Sequence, residues 1–122
     1  MRNGDRIIKA LETARKAAQV LSDRKGENII LLDVREISSV TDMYLIVTGM
    51  SGPHLRALYD ETQITLKKDG LLCYRKAGDP EGGWLILDYL NLVIHIFSKE
   101  ARDYYAIEEL WETAPQLDTQ AQ

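Results

Sequence analysis

Apolar residues recur along the first half of the chain at spacings that predict two helices and two strands. One apolar stripe at helical spacing runs through residues 5–25 and consists of Ile7, Leu11, Ala14, Ala18 and Leu21. The continuous apolar run over residues 28–34 predicts a buried strand, and residues 43–49 predict a second strand. A second helix is expected to begin at Ser51, a good N-cap residue, and to end near Gly70.

The second half of the chain alternates short apolar runs with turn-forming residues. Strands are predicted over residues 71–77, 84–89 and 92–97, with the turn-rich segment "GDPEGG" between the first two. A last helix is predicted over residues 99–113. This order of elements predicts an α/β fold, in which a single domain holds a mixed sheet of about five strands with flanking helices.

The length and charge of the chain limit what it binds. Its 122 residues fit one domain, which we place at residues 1–113, followed by a polar, disordered tail over residues 114–122. The net charge is −4, and nucleic-acid binding depends on basic groups that neutralise phosphates. The sequence therefore argues against direct binding of RNA or DNA and favours a basic protein as partner.

The sequence also predicts a cytoplasmic protein. Its single cysteine, Cys73, has no internal partner for a disulfide, which fits a reducing compartment. No apolar run approaches the roughly 20 residues that cross a membrane. The N-terminal segment lacks the apolar core of a signal peptide, so we expect no membrane association.

A glycine turn separates the second predicted strand from the helix that follows it. Gly49 and Ser51 flank this turn, and a strand, a glycine turn and a helix N-terminus often hold a phosphate. However, the lysine of a P-loop is missing. Metal-dependent nucleotidyl transfer would need two carboxylates on one side of a nearby strand, whereas Asp33 alternates with Arg35 and Asp88 with apolar residues. A helix cap without catalysis or cofactor is the favoured interpretation.

The remaining nucleophiles and histidines favour structural roles. Ser51 and His54 lack the surrounding pattern of a nucleophile elbow. Cys73 falls inside a predicted strand, where a small core residue is expected. His95 shares a strand face with the apolar residues two positions away on each side, which favours a satisfied structural histidine over a base. The two histidines and the one cysteine lie far apart in sequence, which argues against a metal site.

The predicted strand 84–89 carries a candidate docking surface that includes Trp84, Asp88 and Tyr89. Trp84 follows a glycine-rich loop, and Asp88 lies on the same face of the strand as Trp84 and Ile86. A charge in an apolar strand is costly unless it is exposed or paired. An exposed apolar surface with an acidic group would suit a basic partner. The alternative is a core Trp84 with Asp88 capping a turn, and the pattern leaves both open.

Three blocks of sequence resemble one family. These blocks are "LDVREISSVTDMYLIVTGMSGPHLRALYDE", "GWLILDYLNLVIHIF" and "RDYYAIEELW", and together they place residues 5–112 close to the ribosomal silencing factor, or Iojap-like, family. The resemblance implies a protein that binds the large ribosomal subunit through its basic protein number fourteen and blocks joining of the small subunit. Translation is then repressed when nutrients are scarce. It also implies a nucleotidyltransferase-like frame without catalytic carboxylates.

The resemblance assigns partner binding to particular positions. Trp84, Asp88 and Tyr89 match the family's Trp…Asp-Tyr stretch, and a second matching stretch contains Asp42, Ser51 and His54. The chain departs from the family at Leu90-Asn91, where Gly-Asp is common, so the turn there is expected to differ in type. It also departs at Gly52-Pro53, which replaces the more usual Ser and Arg and removes a positive charge from that turn.

Two other functions remain open on the sequence. A large-subunit assembly factor would use the same surface, and a nucleotidyltransferase-like enzyme would use the glycine turn. The resemblance further implies a homodimer when the protein is free. Self-association would also follow from an apolar docking surface that is exposed without its partner.

Overall fold

The computed structural model describes residues 3–110, 112 and 114–120. The helices in that part of the chain are α1 (Asn3–Asp23), α2 (Gly52–Lys68), α3 (Lys99–Tyr105) and α4 (Ile107–Leu110). The strands are β1 (Glu27–Asp33), β2 (Met43–Gly49), β3 (Arg75–Asp79), β4 (Trp84–Asp88), β5 (Leu92–Ser98) and β6 (Gln116–Leu117). No helix among the described residues is long and apolar enough to cross a membrane.

The strands form one mixed sheet in the order β3-β4-β5-β2-β1-β6. The central pair, β2 and β5, is parallel, and the other neighbours are antiparallel. A parallel pair needs a long crossover, which α2, β3 and β4 supply here. The predicted α/β class with a mixed sheet is therefore confirmed, and the sheet has six strands instead of five.

One face of the sheet is covered by α1 and α2 and holds the main core. The two helices pack on each other as well as on the sheet. The small side chains that α1 contributes to this core are Ala10, Ala14, Ala17 and Ala18. Alternate residues of the strands, such as Leu45, Leu87 and Ile94, complete this core and are fully buried.

The opposite face of the sheet is only partly covered by the helices of the described region. A smaller core lies there under α3 and α4 and consists of Leu32, Val34, Ile46, Phe97 and Ile107. Arg102 of α3 is buried, and its Nη1 donates to the Asn28 carbonyl at 2.6 Å and to the Thr48 hydroxyl at 2.9 Å. This arginine therefore fixes α3 to β1 and β2, which leaves the part of the face over β4 less covered.

The structure corrects the position of the third strand. It begins at Arg75 and not at Leu71, and all of its residues are exposed. The apolar run before it forms an irregular segment in which Leu72 is 72% exposed. Cys73 is therefore not inside a strand. It is half-buried, its Sγ lies 3.1 Å from the Arg75 carbonyl oxygen, and burial raises the pKa of its thiol.

The C-terminal part of the chain differs from its prediction in two respects. The single helix expected over 99–113 is interrupted at Ala106, whose positive φ of 46° ends α3. Positions 111 and 113 lie outside the described residues. The predicted disordered tail contains β6, whose residues pair with Leu31 and Leu32 of β1. This pairing supplies partners for the backbone of a strand that would otherwise form the sheet edge.

Candidate protein-binding surface

Alternating residues of β2, β4 and β5 form a partly exposed surface on the less covered side of the sheet. Pairing places Ile86 opposite His95 and Asp88 opposite Val93, so these residues share one side. Tyr44 joins them from β2, because it lies opposite Val93 in the parallel pair. We call this surface the aromatic face, and it consists of Tyr44, Trp84, Ile86, Asp88, Val93 and His95. All except His95 are half-buried.

Trp84 occupies the end of the aromatic face that is closest to α3. Its indole Nε1–H donates to Nδ1 of His95 at 3.1 Å. The ring also packs on Tyr105 and Phe97, with centroid distances of 4.5 and 4.9 Å. Trp84 is thus held by three neighbours while part of its surface stays open to solvent. Such a rigid, partly exposed tryptophan is typical of residues that dominate protein interfaces.

His95 lies beneath the exposed residues of the aromatic face and is only 5% exposed. Burial lowers its pKa to about 4, so the ring is neutral at neutral pH. A neutral ring that accepts at Nδ1 carries its proton on Nε2, and this Nε2 finds no hydrogen-bond partner among the described residues. The edge of Tyr44 packs on the same ring at a centroid distance of 4.6 Å. The histidine predicted to be structural therefore has a hydrogen-bond partner at Nδ1 and none among the described residues at Nε2.

Asp88 has two roles at the end of β4. Its Oδ1 accepts the backbone N–H of Leu90 at 2.8 Å, and its Oδ2 lies 3.6 Å from Arg75 Nη2. The turn-capping role considered from the sequence is thus present, and the carboxylate is nevertheless half-buried on the same face as Trp84. Leu90 takes a positive φ of 74°. The backbone therefore adopts a conformation that glycine favours.

Tyr89 lies on the other side of the sheet from the aromatic face. Its ring packs against the main core under α1, and its hydroxyl is buried without a partner among the described residues. Burial raises the pKa of this phenol well above its usual value. Together with Ala10, Leu71 and Leu92 it lines a small cavity of about 170 Å³. The structure therefore separates Tyr89 from Trp84 and Asp88.

Three further residues assigned from the resemblance are engaged within the protein. Asp42 is buried and accepts both Nε and Nη2 of Arg6, at 3.0 and 3.1 Å. Ser51 is the N-cap of α2 and accepts the backbone N–H of His54, as its sequence position predicted. The His54 ring accepts the Met50 N–H at Nδ1 and lies 2.7 Å from the Arg24 carbonyl through Nε2. Asp42, Ser51 and His54 all lie outside the aromatic face.

The glycine turn borders a cavity of about 760 Å³. Its lining includes Ser51 and Lys99 but also the carboxylates of Glu27, Glu81 and Glu100. The amides of Met50 and His54 are engaged by side chains, so they are not free to bind a phosphate. Within the described residues no group of three or more His, Cys, Asp or Glu side chains could hold a metal ion.

Sequence reasoning identified only part of the aromatic face. It placed Trp84, Ile86 and Asp88 together from their alternation, and the sheet register confirms this. It missed Tyr44, because the parallel pairing of β2 with β5 is not local in sequence. It also missed Tyr105, which α3 brings against the Trp84 ring. An alternation of Tyr44 with Ile46 was the available signal, but the sequence did not indicate which strand would lie beside it.

Comparison with known proteins agrees with the resemblance seen in the sequence. The family described as "Ribosomal silencing factor during starvation" matches residues 7–122. A ribosomal silencing factor of Bacillus subtilis is 34% identical over 102 residues, which cover 84% of this chain and 86% of that protein. The chloroplastic protein Iojap of Arabidopsis thaliana is 30% identical over 116 residues, and the match spans 48% of its length.

Solved structures with the same fold are also similar in sequence. A crystal structure of a Chromobacterium violaceum protein has a TM-score of 0.81 and 33% identity, over 84% of this chain and 86% of that chain. A Bacillus halodurans crystal structure has a TM-score of 0.76 and 29% identity, over 88% and 97%. On the extent of the family match and the identity to these relatives, the chain belongs to the ribosomal silencing factor family.

Proposed function

We propose that this protein binds the large ribosomal subunit and prevents joining of the small subunit, which represses translation when nutrients are limiting. The observation that carries the proposal is the aromatic face in a chain of this family. Action on a ribosome would take place in the cytoplasm. Bulk on the subunit-joining side of the large subunit is sufficient for such a block, so the function requires no catalysis.

The chemistry of the aromatic face favours a protein over a nucleic acid. Trp84 and Tyr44 present aromatic surface next to the aliphatic Ile86 and Val93, and all four are half-buried. Aromatic residues are enriched at the centres of protein interfaces. The chain as a whole has a net charge of −4, which disfavours contact with phosphates. These features support direct docking on a protein of the large subunit instead of on ribosomal RNA.

The expected partner is the basic large-subunit protein number fourteen, which the resemblance implies. The Asp88 carboxylate lies beside the apolar part of the face and would complement a lysine or arginine of such a partner. Its present cation, Arg75, is itself largely exposed, with 75% of its side chain accessible, and the pair is at 3.6 Å. A partner cation could therefore replace or add to this weak surface pair.

The free protein is expected to self-associate through the same kind of surface. Partly exposed apolar residues favour pairing when the partner is absent. Sedimentation at tens of micromolar should detect a weak homodimer. A protein that remains monomeric at that concentration would contradict this part of the proposal.

A ribosome-profile gradient tests the proposed function directly. Purified large and small subunits are mixed with wild-type protein, Trp84→Ala or the control Tyr74→Ala, whose aromatic side chain is 66% exposed just before β3. Wild type and control should keep the subunits apart and migrate with the large subunit. Trp84→Ala should allow joined ribosomes to form. If wild-type protein migrates with neither subunit, the proposed function is overturned.

A further inference from the structure

The contact between Trp84 and His95 joins two neighbouring strands diagonally. Pairing places Trp84 opposite Phe97 and His95 opposite Ile86, so the indole must reach along the sheet to meet the imidazole. It does so with Nε1 at 3.1 Å from Nδ1. The ring planes of Trp84 and His95 are inclined by 40° at a centroid distance of 5.9 Å. The orientation of the indole is therefore restricted both by this hydrogen bond and by the packing of its ring.

The hydrogen bond requires a particular form of the histidine. Only a neutral imidazole with its proton on Nε2 can accept at Nδ1. The surroundings favour this form, since His95 is 5% exposed and burial lowers its pKa to about 4. Its described aromatic neighbours are Tyr44, Trp84 and Phe97. The acceptor is thus available to Trp84 throughout the neutral pH range.

The same arrangement leaves Nε2 of His95 buried without a partner among the described residues. A phenylalanine or leucine would fill this place without such an unpaired N–H group, whose burial is unfavourable. Simple filling of the core therefore does not explain the histidine. An acceptor at Nδ1 for the indole N–H of Trp84 does explain it.

We propose that His95 is a positioning residue for docking, which holds the Trp84 indole in the orientation that the ribosomal partner binds. This inference rests on the proposed function. A side chain that is fixed before binding loses less rotational freedom on association, so fixing the indole increases the affinity. His95 itself does not need to contact the partner for this effect. His95 then acts through Trp84 alone.

The hydrogen bond is tested first in the free protein, without any ribosome. The indole proton of Trp84 is assigned in a ¹H–¹⁵N spectrum as the signal that Trp84→Phe removes. In wild type this proton should exchange slowly with solvent. In His95→Phe, which keeps an aromatic ring but lacks the acceptor, it should shift and exchange faster. An unchanged signal and exchange rate in His95→Phe would overturn the inference.

A double-mutant cycle then separates positioning from general support of the fold. Affinity for the large subunit is measured for wild type, His95→Phe, Trp84→Phe and the double variant, each checked for folding by circular dichroism. Loss of one hydrogen bond predicts that His95→Phe weakens binding about five- to tenfold when Trp84 is present. It should have no effect in the Trp84→Phe background, because the indole N–H is already absent.

A conservative variant provides the rescue. In His95→Asn the amide oxygen can occupy the place of Nδ1, so binding should recover to within about threefold of wild type. Equal losses from His95→Phe in both backgrounds would overturn the positioning role and leave the docking surface intact. If instead Trp84→Ala binds as tightly as wild type, the proposed docking surface is overturned. The two failures are therefore distinguishable.

Discussion

The carboxylate of Asp88 accepts the backbone N–H of Leu90 at 2.8 Å and thereby closes the turn between β4 and β5. The same carboxylate lies on the aromatic face, 3.6 Å from Arg75 Nη2. One side chain thus holds a strained turn and supplies negative charge to the proposed docking surface. Substitution can separate the two roles, because only one of them requires the charge.

Asp88→Asn should weaken docking while preserving the fold. Asparagine keeps an oxygen that can accept the Leu90 N–H, so the free energy of unfolding should change by less than about 1 kcal/mol. If the carboxylate pairs with a cation of the partner, affinity should fall by about 2 kcal/mol and lose part of its salt dependence. Titrations against the purified large-subunit protein at two salt concentrations measure this.

Asp60→Asn is the matched control, since it removes the same charge from an exposed position of α2 behind the sheet. It should bind as wild type does. If both variants lose the same affinity, the effect is one of overall charge and not of the aromatic face. An Asp88→Asn protein that binds with wild-type affinity would show that the residue acts only in its turn.

Leu90→Gly should stabilise the protein. A leucine at φ 74° is strained by about 1–2 kcal/mol, of which the greater chain entropy of unfolded glycine offsets a part, so a net gain of about 0.5 kcal/mol is expected. The side chain is 54% exposed, so little burial is lost. Urea unfolding measures the change. Leu90→Ala retains the Cβ and should show no gain, and a clear loss in Leu90→Gly would contradict the strain.

The aromatic face illustrates which part of the site the sequence could predict. Alternation along one strand is local, so the common side of Trp84, Ile86 and Asp88 followed from the sequence. The neighbour of that strand is decided by the packing of the whole sheet. The parallel pairing that brings Tyr44 onto His95 therefore had no local signal.

The errors in the fold have similar causes. The run Leu71–Tyr74 is apolar enough to suggest a strand, whereas the true edge strand beside it is polar and exposed, because an edge strand needs no apolar face. Ala106 carries no turn signal, yet it adopts positive φ where α3 ends. The short β6 depends on pairing with β1, about 85 residues earlier in the chain, as the registered pair Leu31 and Leu117 indicates.

Trp84→Ala should have the largest effect on docking. Truncation of a central interface tryptophan typically costs about 2–4 kcal/mol, or roughly 30- to 1000-fold in affinity. Trp84 also packs on Phe97 and Tyr105, so stability will fall as well. Trp84→Phe keeps more of that packing, so its affinity should lie between those of wild type and Trp84→Ala. Titration of each folded variant against the purified partner measures the effect, and Tyr74→Ala is the control.

Wild-type affinity in a folded Trp84→Ala protein would locate the interface elsewhere. The turn that bears Ser51 and His54 would then be the next surface to test, since the resemblance also assigns partner binding there. Both residues are engaged within the protein. Their substitution should therefore destabilise the start of α2 and should have a smaller effect on the affinity for the partner.

Nucleoside triphosphate with magnesium should not stabilise the protein. Two amides at the glycine turn, those of Met50 and His54, already donate to side chains, and three carboxylates line the adjacent cavity. A nucleotide present at 100 times its dissociation constant would stabilise the fold by about 2.7 kcal/mol. A thermal-shift experiment at millimolar nucleotide would reveal that change. A clear upward shift would instead support a nucleotidyltransferase-like activity.

The protein should lose stability in mild acid because of His95. Its pKa is lowered to about 4 in the fold, whereas an unfolded histidine has a pKa of about 6.5. The unfolded chain therefore binds a proton between these values that the folded protein excludes. The stabilisation is complete above pH 6.5 and falls as the pH decreases towards 4, by about 3 kcal/mol in total. Urea unfolding across this range measures the loss.

His95→Phe isolates this contribution, because phenylalanine does not titrate. The difference in unfolding free energy between wild type and His95→Phe should change by about 3 kcal/mol between pH 7 and pH 4, whatever its value at pH 7. The pKa of Asp33 is lowered by its hydrogen bonds with Arg35, so its stabilising effect is lost as the pH falls. This loss is the same in both proteins and therefore cancels in the difference. A constant difference across the range would mean that the imidazole takes up its proton at the same pH in the folded and the unfolded protein. The Trp84 indole would then lose its acceptor at Nδ1 below about pH 6.5.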